Sequence, residues 1–348
     1  HEMIGVLSAM ALIPGTDWGL PYYRDRAFAI GLGCPLSEIL AVFLARDVSN
    51  HSGGRMMPEH FSHCELRIPC QSSCVGSQFL QAVGVAKSAQ LRGAQEVVYV
   101  SAGDGATSQG DFHEALNFSC IHRLPIVFVI QDNGWAISVP SKEQTAGGTI
   151  VKMARGYEGL SVYDVDGCDY VETATALHQA VSKARSGEGP SLVVAKVPRI
   201  GSHSSSDDPK KYKTEEIIAE EKSRDPIVRF EKWLIANQYC TASDIEVLRA
   251  QHFQDIEAAA LLADQVPFPL KETAADHVFK EFTLPPSQPS ASGESIVIMD
   301  ALNHAMDEEM QRDSGVIVFG QDVAHGKGGV FGITRAFTER FGSHRCFN

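Results

Sequence analysis

No stretch of this chain is apolar for long enough to span a bilayer, and its first residues, His1-Glu2-Met3-Ile4-Gly5, lack the basic start and apolar core of a signal peptide. These absences lead to the expectation of a cytoplasmic protein without a membrane partner. A basic block is missing too. The 348 residues carry 30 Lys and Arg against 43 Asp and Glu, a net charge of -13, which argues against nucleic acid or an anionic membrane surface as a partner. Any phosphate ligand must then be held by local positive charge. Cysteine supplies no framework: eight residues scattered from Cys34 to Cys346 read as free thiols rather than disulfides. Cys70 and Cys74, with no second pair nearby, read as buried thiols rather than a zinc site. There is no internal repeat.

With 44% hydrophobic residues, the chain can bury a substantial core, and its length suggests two domains or more. Leu36, Ile39, Leu40, Phe43 and Leu44 follow one helical face, and a second helix runs from Gln78 to Leu91, stopped by Gly93. Apolar runs at 97–101, 126–130, 161–165 and 192–197 then alternate with helical segments, the last at 171–185. That alternation predicts an α/β fold, a parallel sheet covered by helices. After Lys213 the pattern is helical only, with a break at Pro226 and a later helix opened by a Ser243-x-x-Glu246 capping box. The expected organisation is a domain over 1–283 with a helical extension from about 213, a Pro- and Ser-rich linker over 284–294, and an incomplete second domain over 295–348. In the last, Ile298, Ala301, Leu302, Ala305 and Met306 mark a helix and Val316 to Phe319 a strand. The end at Cys346-Phe347-Asn348 carries no stop signal, and a cleaved or truncated chain is the expectation.

The most informative local pattern is Gly103-Asp104-Gly105 followed, after one helix and one strand, by Asp132-Asn133-Gly134-Trp135. A βαβ unit with parallel strands brings Asp104 and Asn133 to the same carboxyl edge of the sheet. A carboxylate, an amide oxygen and a backbone carbonyl such as that of Trp135 are hard donors suited to Mg²⁺ or Ca²⁺, with phosphate oxygens completing the shell. The glycines allow close approach of an anion, and a helix opening near 107–110 would turn free N–H groups toward it. The alternative for Gly-Asp-Gly alone is a plain strand-to-helix turn.

These residues resemble the thiamin diphosphate signature, and the run from Gly103 through Trp135-Ala136-Ile137-Ser138 resembles the α subunit of the 2-oxoacid dehydrogenase decarboxylating components. Tyr22-Tyr23-Arg24-Asp25, Gln81-Ala82-Val83-Gly84, Asp166-Gly167-Cys168-Asp169 and Arg199-Ile200-Gly201-Ser202-His203-Ser204 fall in that family's order, so the resemblance covers roughly residues 1–280. It implies that Asp104, Asn133 and the Trp135 carbonyl hold Mg²⁺. Gly103, Gly105 and Ala106 would face the diphosphate with Tyr23 and Arg24, and Ser73, Val75, Gln131 and Ile137 would complete the cofactor site. A guanidinium forks onto phosphate with fixed geometry; the alternative for Arg24 is an ion pair with Asp25 or Asp17. His203 is implied as the acid-base residue that helps pass the acyl group to a lipoyl arm, where composition alone reads a mobile surface loop. Ser72, Ser77 and Gln78 match a potassium-binding turn, with one position substituted.

Two departures from branched-chain relatives stand beside the metal: Gln131 occupies an arginine position, and Asp132 replaces the first Asn of the usual pair. His60 reads as a loop residue near the substrate entrance without a fixed partner. Gly320-Gln321-Asp322-Val323 and Gly328-Gly329-Val330-Phe331 resemble the opening of the family's β subunit. The implied protein is therefore an α–β fusion acting as a homodimer, equivalent to an α2β2 heterotetramer, on a lipoyl-bearing dihydrolipoyl acyltransferase core. Its implied substrate is a branched-chain 2-oxoacid such as 3-methyl-2-oxobutanoate, with pyruvate the runner-up and a cofactor-binding module without activity of its own the alternative class. The family's activating glutamate belongs to the β-type domain and would lie beyond Asn348, so the isolated 1–348 chain is expected not to turn over.

Overall fold

The computed structural model describes residues 1–48, 50–60, 62–276, 278–280 and 295–348. The linker expected over 284–294 lies outside the described residues. Two compact units divide at Ala275 and Asp276.

The first unit runs α1 (Glu2–Ala11), β1 (Trp18–Leu20), α2 (Arg26–Leu32), α3 (Leu36–Phe43), α4 (Ser77–Leu91), β2 (Val98–Gly103), α5 (Gly110–His122), β3 (Ile126–Asp132), β4 (Trp135–Ala136), β5 (Val139–Pro140), α6 (Ser141–Gln144), α7 (Ile150–Ala154), β6 (Ser161–Asp166), α8 (Tyr170–Arg185), β7 (Ser191–Lys196), α9 (Glu215–Ser223), α10 (Pro226–Ala236) and α11 (Ala242–Gln265). Five strands form one sheet in the order β1-β2-β3-β7-β6, every pairing parallel, which is the expected α/β architecture. The continuous apolar runs follow from burial on both faces. Alternate side chains leave the sheet in opposite directions. Tyr99, Val127, Val129 and Val193 therefore meet Ile4, Leu7, Phe28 and Leu177 in one core layer. Their neighbours Val98, Val100, Phe128, Ile130 and Val194 meet Phe79, Ala86, Phe112 and Leu116 in the other. Replacing a fully buried ring such as Phe128 by Ala would cost about 3–5 kcal/mol.

Register fixes what emerges at the carboxyl edge. Gly103 pairs with Gln131 and Asp132 with Lys196, so the ends of β2, β3 and β7 are level. Between β2 and α5 the chain makes a 3₁₀ turn over Asp104–Ser108, and α5 opens at Gly110.

In the helical part, Pro226 is the first residue of α10, where its missing N–H costs nothing, and the Asp225 side chain accepts from Ile227 N at 2.9 Å. The expected capping box is corrected: the N-cap of α11 is Thr241, whose hydroxyl and backbone N–H pair reciprocally with Asp244, two residues before the predicted Ser243 and Glu246. Cys70 and Cys74 are also corrected, being exposed; all eight cysteines are free.

The second unit contains α12 (Ile298–Arg312), a short parallel pair of β8 (Val318–Phe319) and β9 (Cys346–Phe347), and α13 (Phe337–Phe341) around Met310, Ala324, Phe337 and Cys346. Gly328 has φ of +67°, and a Cβ there would lie 2.6 Å from Arg335 Cα, so only glycine fits.

Candidate functional site

The edge formed by β2, β3 and β7 opens into a cleft of about 840 Å³ lined by Tyr22, Tyr23, Arg24, Ser73, Val75, Gly103, Asp104, Gly105, Ala106, Gln131, Asn133, Trp135, Ile137, Arg199 and His203, among others. The residues read from the sequence as metal and cofactor ligands all border this cavity, together with His203, whereas His60, Asp132 and the Ser72, Ser77 and Gln78 turn are not among its lining residues. Asp104, at the start of the 3₁₀ turn, is buried. Its Oδ2 accepts from Ser141 Oγ at 3.0 Å, while Oδ1 is buried with no hydrogen-bond partner among the described residues. Burial raises the Asp104 carboxyl above its ordinary value, opposed by the Ser141 hydrogen bond. Asp132 is pushed up to about 6, first by burial and then by the Asp104 charge. A buried carboxylate with an orphaned oxygen, and a second carboxylate close enough to feel its charge, are what a hard divalent cation would satisfy.

Asn133 presently turns its Oδ1 to Trp135 N at 3.1 Å, an Asx turn that shapes the β4–β5 hairpin. Trp135 stands opposite Pro140, which has no N–H to give it. At the hairpin tip Ile137 adopts φ of +57°, a strained conformation for a β-branched residue, and is 53% exposed. Gly105 suits the close approach here, because a Cβ would crowd that of Ala136 at 3.0 Å and press on the hairpin. A Cβ on Gly103 would meet nothing within 4 Å, leaving open space against the backbone.

Arg24 makes neither of the ion pairs considered from sequence. Asp17 is bound by Arg185 at 2.6 Å, and Asp25 is buried. The Arg24 guanidinium instead donates to the Tyr22 hydroxyl at 2.8 Å and to the His203 backbone carbonyl, with its Nη2 3.5 Å from His203 Nε2. His203 is thus tied down: its N–H also donates to Asp207 Oδ2 at 2.7 Å. Burial, then the charges of Arg24 and Arg199, lower its pKa, so the imidazole is neutral near pH 7.

His60 has fixed partners. It stacks on Tyr23 with centroids 4.4 Å apart, and its Nε2 lies 2.5 Å from Ser73 Oγ. Gln131 donates to both oxygens of Asp25 at 3.0 and 3.1 Å, and His1 Nδ1 lies 2.7 Å from its Oε1. In the expected potassium turn, Ser72 and Ser77 both bond the Cys74 backbone, whereas the Gln78 amide donates inward to Ser101 O at 2.9 Å.

Sequence reasoning overlooked several participants. Arg199 is 8% exposed; its Nη2 donates to Ile137 O at 2.7 Å and Tyr212 Oη at 2.6 Å, while Nε and Nη1 are buried without a partner among the described residues. It lay in a quoted motif without an assigned role. Ser141 and Gln144, which bond the Asp104 side chain and carbonyl, carried no sequence signal. Together the two guanidiniums give the cleft the positive potential that the acidic chain lacks. Donor chemistry, orphaned atoms and open glycine backbone all fit a divalent ion with a diphosphate.

A family model described as dehydrogenase E1 component matches residues 1–272. The chain belongs to the dehydrogenase E1 component family. As an E1 component it is 34% identical over 279 residues to the 2-oxoisovalerate dehydrogenase subunit alpha of Bacillus subtilis, covering 80% of this chain and 84% of that protein. It is 37% identical over 229 residues to the pyruvate dehydrogenase E1 component subunit alpha of Staphylococcus aureus, and 36% over 232 residues to the 3-methyl-2-oxobutanoate dehydrogenase subunit alpha of Mycobacterium tuberculosis. Each of the latter two matches covers 66% of this chain and 59% of the relative. Among the described residues, no helix of this E1 component is long and apolar enough to cross a membrane.

Proposed function

We propose that this chain is the α-type part of a thiamin diphosphate-dependent 2-oxoacid dehydrogenase E1 component, decarboxylating a 2-oxoacid and passing the acyl group to a lipoyl group of an acyltransferase core. The observation that carries the reading is the convergence of the orphaned Asp104 oxygen, the Asn133–Trp135 hairpin, two guanidiniums and His203 on one cleft. When bound, the cofactor supplies a carbanion nucleophile and an electron sink for decarboxylation. Asp104, Asn133 and the Trp135 carbonyl would hold Mg²⁺. Gly103, Gly105 and Ala106 would let the diphosphate approach the backbone, and Tyr23, Arg24 and Arg199 would face it. Ser73, Val75, Gln131 and Ile137 would line the rest of the cofactor. His203, neutral near pH 7 and lining the cleft, can hold or release a proton at Nε2.

A branched-chain 2-oxoacid such as 3-methyl-2-oxobutanoate is the preferred substrate, supported by the names of two relatives and by the Trp135-Ala-Ile-Ser and Arg199-Ile-Gly-Ser-His phrases. Pyruvate is the second reading, supported by the Staphylococcus aureus relative. Residues 295–348 are read as the opening of a fused β-type domain, which would make the active species a homodimer.

Calorimetric titration of thiamin diphosphate with Mg²⁺ tests the assignment. Asp104→Ala should abolish metal-dependent binding with the circular dichroism spectrum unchanged, whereas His203→Ala, assayed with a β-type domain present, should retain binding and lose acyl transfer by on the order of 10²-fold or more. Undiminished affinity in Asp104→Ala removes the metal assignment, and wild-type acyl transfer in His203→Ala removes the catalytic one.

A further inference from the structure

A second group of ligating side chains lies outside the cleft residues. Cys34, Glu38 and His63 each present one ligand atom, and those atoms all lie within 4.8 Å of one another. Cys34 and His63 are buried and Glu38 is half-buried. A fourth candidate adjoins them: His51 Nε2 and His63 Nε2 are each 3.9 Å from the same oxygen, Glu38 Oε2.

Those two separations are too long for hydrogen bonds, and Glu38 Oε2 is buried without a hydrogen-bond partner among the described residues. Imidazoles that surround a buried carboxylate oxygen without bonding it leave room for something between them. Tetrahedral zinc, with bonds of about 2.0–2.3 Å, sets its ligand atoms roughly 3.2–3.8 Å apart, so a contraction of about 1 Å closes Cys34, Glu38 and His63 around an ion, and His51, beside the same Glu38 oxygen, is placed to come in as the fourth ligand. Each ligand is carried on fixed backbone. Gly33, at φ of +108°, ends α2 and throws Cys34 inward; Glu38 lies in the first turn of α3. His63 forms the neck of a tight loop, exchanging backbone hydrogen bonds with Ile68 at 2.8 and 2.9 Å.

We infer that Cys34, Glu38, His51 and His63 form a structural site for a zinc ion. The donor set of one thiolate, two imidazoles and one carboxylate suits zinc and excludes the harder Mg²⁺ proposed for the cleft. Burial and His63 hold the His51 pKa down to about 4, so its imidazole is neutral. Burial and the Glu38 charge push the Cys34 thiol up to about 12, so ligation must release its proton and metal affinity must fall with acid. His63 presently has Asn50 Nδ2 at 3.3 Å from Nε2 and Leu66 N at 3.3 Å from Nδ1; both long contacts give way when Nε2 takes the metal and Nδ1 carries the ring proton. The ion would clip the α2–α3 corner to the loop that continues into Ser73 and Val75, and so steady one wall of the cleft.

The test needs neither cofactor nor 2-oxoacid, so its failure is distinct from failure of the functional proposal. The purified chain, exchanged into metal-free buffer, is analysed for zinc by mass spectrometry and titrated with Co²⁺. About one zinc per chain and a thiolate-to-cobalt charge-transfer band are expected. Cys34→Ala should lose the band and the zinc, and Glu38→Gln and His63→Gln should weaken binding at least about tenfold, the loss that removing even an outer partner causes. Cys70→Ser, altering an exposed thiol, should change neither. Thermal melts guard against misfolding: Cys34→Ala should melt where the chelator-stripped wild type melts, and chelator should lower only the wild type. A wild-type chain that retains no zinc, or a Cys34→Ala chain that retains it undiminished, overturns the site.

Discussion

Asp25 is the residue whose cost can be read most directly from its surroundings. Its carboxyl is buried beside β2 and β3, where it accepts from Ser101 Oγ and from Gln131 Nε2 at 3.0 and 3.1 Å. Burial outweighs those bonds and pushes it up to about 6, from an ordinary 3.8. The folded-state pKa is therefore raised: the stabilisation is fully present below the unfolded value and is lost as pH rises through the folded one. The gap corresponds to about 3 kcal/mol, disappearing between about pH 4 and pH 6 and constant above. Asp25→Asn removes the titration. The mutant amide's own contacts with Ser101 and Gln131 do not change with pH, so the slope reports the net titration of the wild-type carboxyl, its hydrogen bonds included. Urea unfolding of both proteins at several pH values is the assay. The stability of Asp25→Asn relative to wild type should rise by about 3 kcal/mol between about pH 4 and pH 7. A difference that stays flat within about half a kcal/mol would mean that Asp25 ionises normally in the folded protein, and the argument from burial would fail.

Two further outcomes follow from the same network. In Gln131→Arg the new guanidinium should pair first with Asp25, flattening the pH slope just described, and thiamin diphosphate should gain less than about 1 kcal/mol in a calorimetric titration; a gain beyond tenfold would show the arginine free to reach the ligand. Arg199→Met should weaken thiamin diphosphate binding about tenfold or more, because it removes two buried donors that no other residue uses and loosens the Ile137 turn; unchanged affinity in the same titration would leave Arg199 a purely structural clamp.

What the sequence conveyed well was whatever depends on short-range pattern and on burial of whole strands. The apolar runs of β2, β3 and β7 announced a sheet covered on both faces, and the positions just past them announced the edge where Asp104 and Asn133 meet. The α11 capping box shows how local pattern fails: Thr241-x-x-Asp244 and Ser243-x-x-Glu246 overlap, both satisfy the motif, and only the path of the chain decides which one caps. Cys70 and Cys74 were misjudged because thiol burial depends on what packs over a loop. The Asp25–Gln131 contact joins residues 106 apart, and the clustering of Cys34 with His63 likewise arises only once α2, α3 and the following loop have packed. Charge bookkeeping pointed to a need for local cations and picked out Arg24, but gave no hint that Arg199 would stand opposite it.

The pairing of Gly103 with Gln131 and of Asp132 with Lys196 has an evolutionary consequence. A one-residue slip in either pairing would exchange the two core layers, so the spacing between the carboxylate turn and the amide hairpin is held by the same interlocking that holds the core. Selection cannot tune this spacing in small steps. Diversification of the molecule's chemistry is thereby channelled into side chains beyond the strand ends, from 133 to 141 and from 198 to 207, where an exchange leaves the interlocked layers untouched.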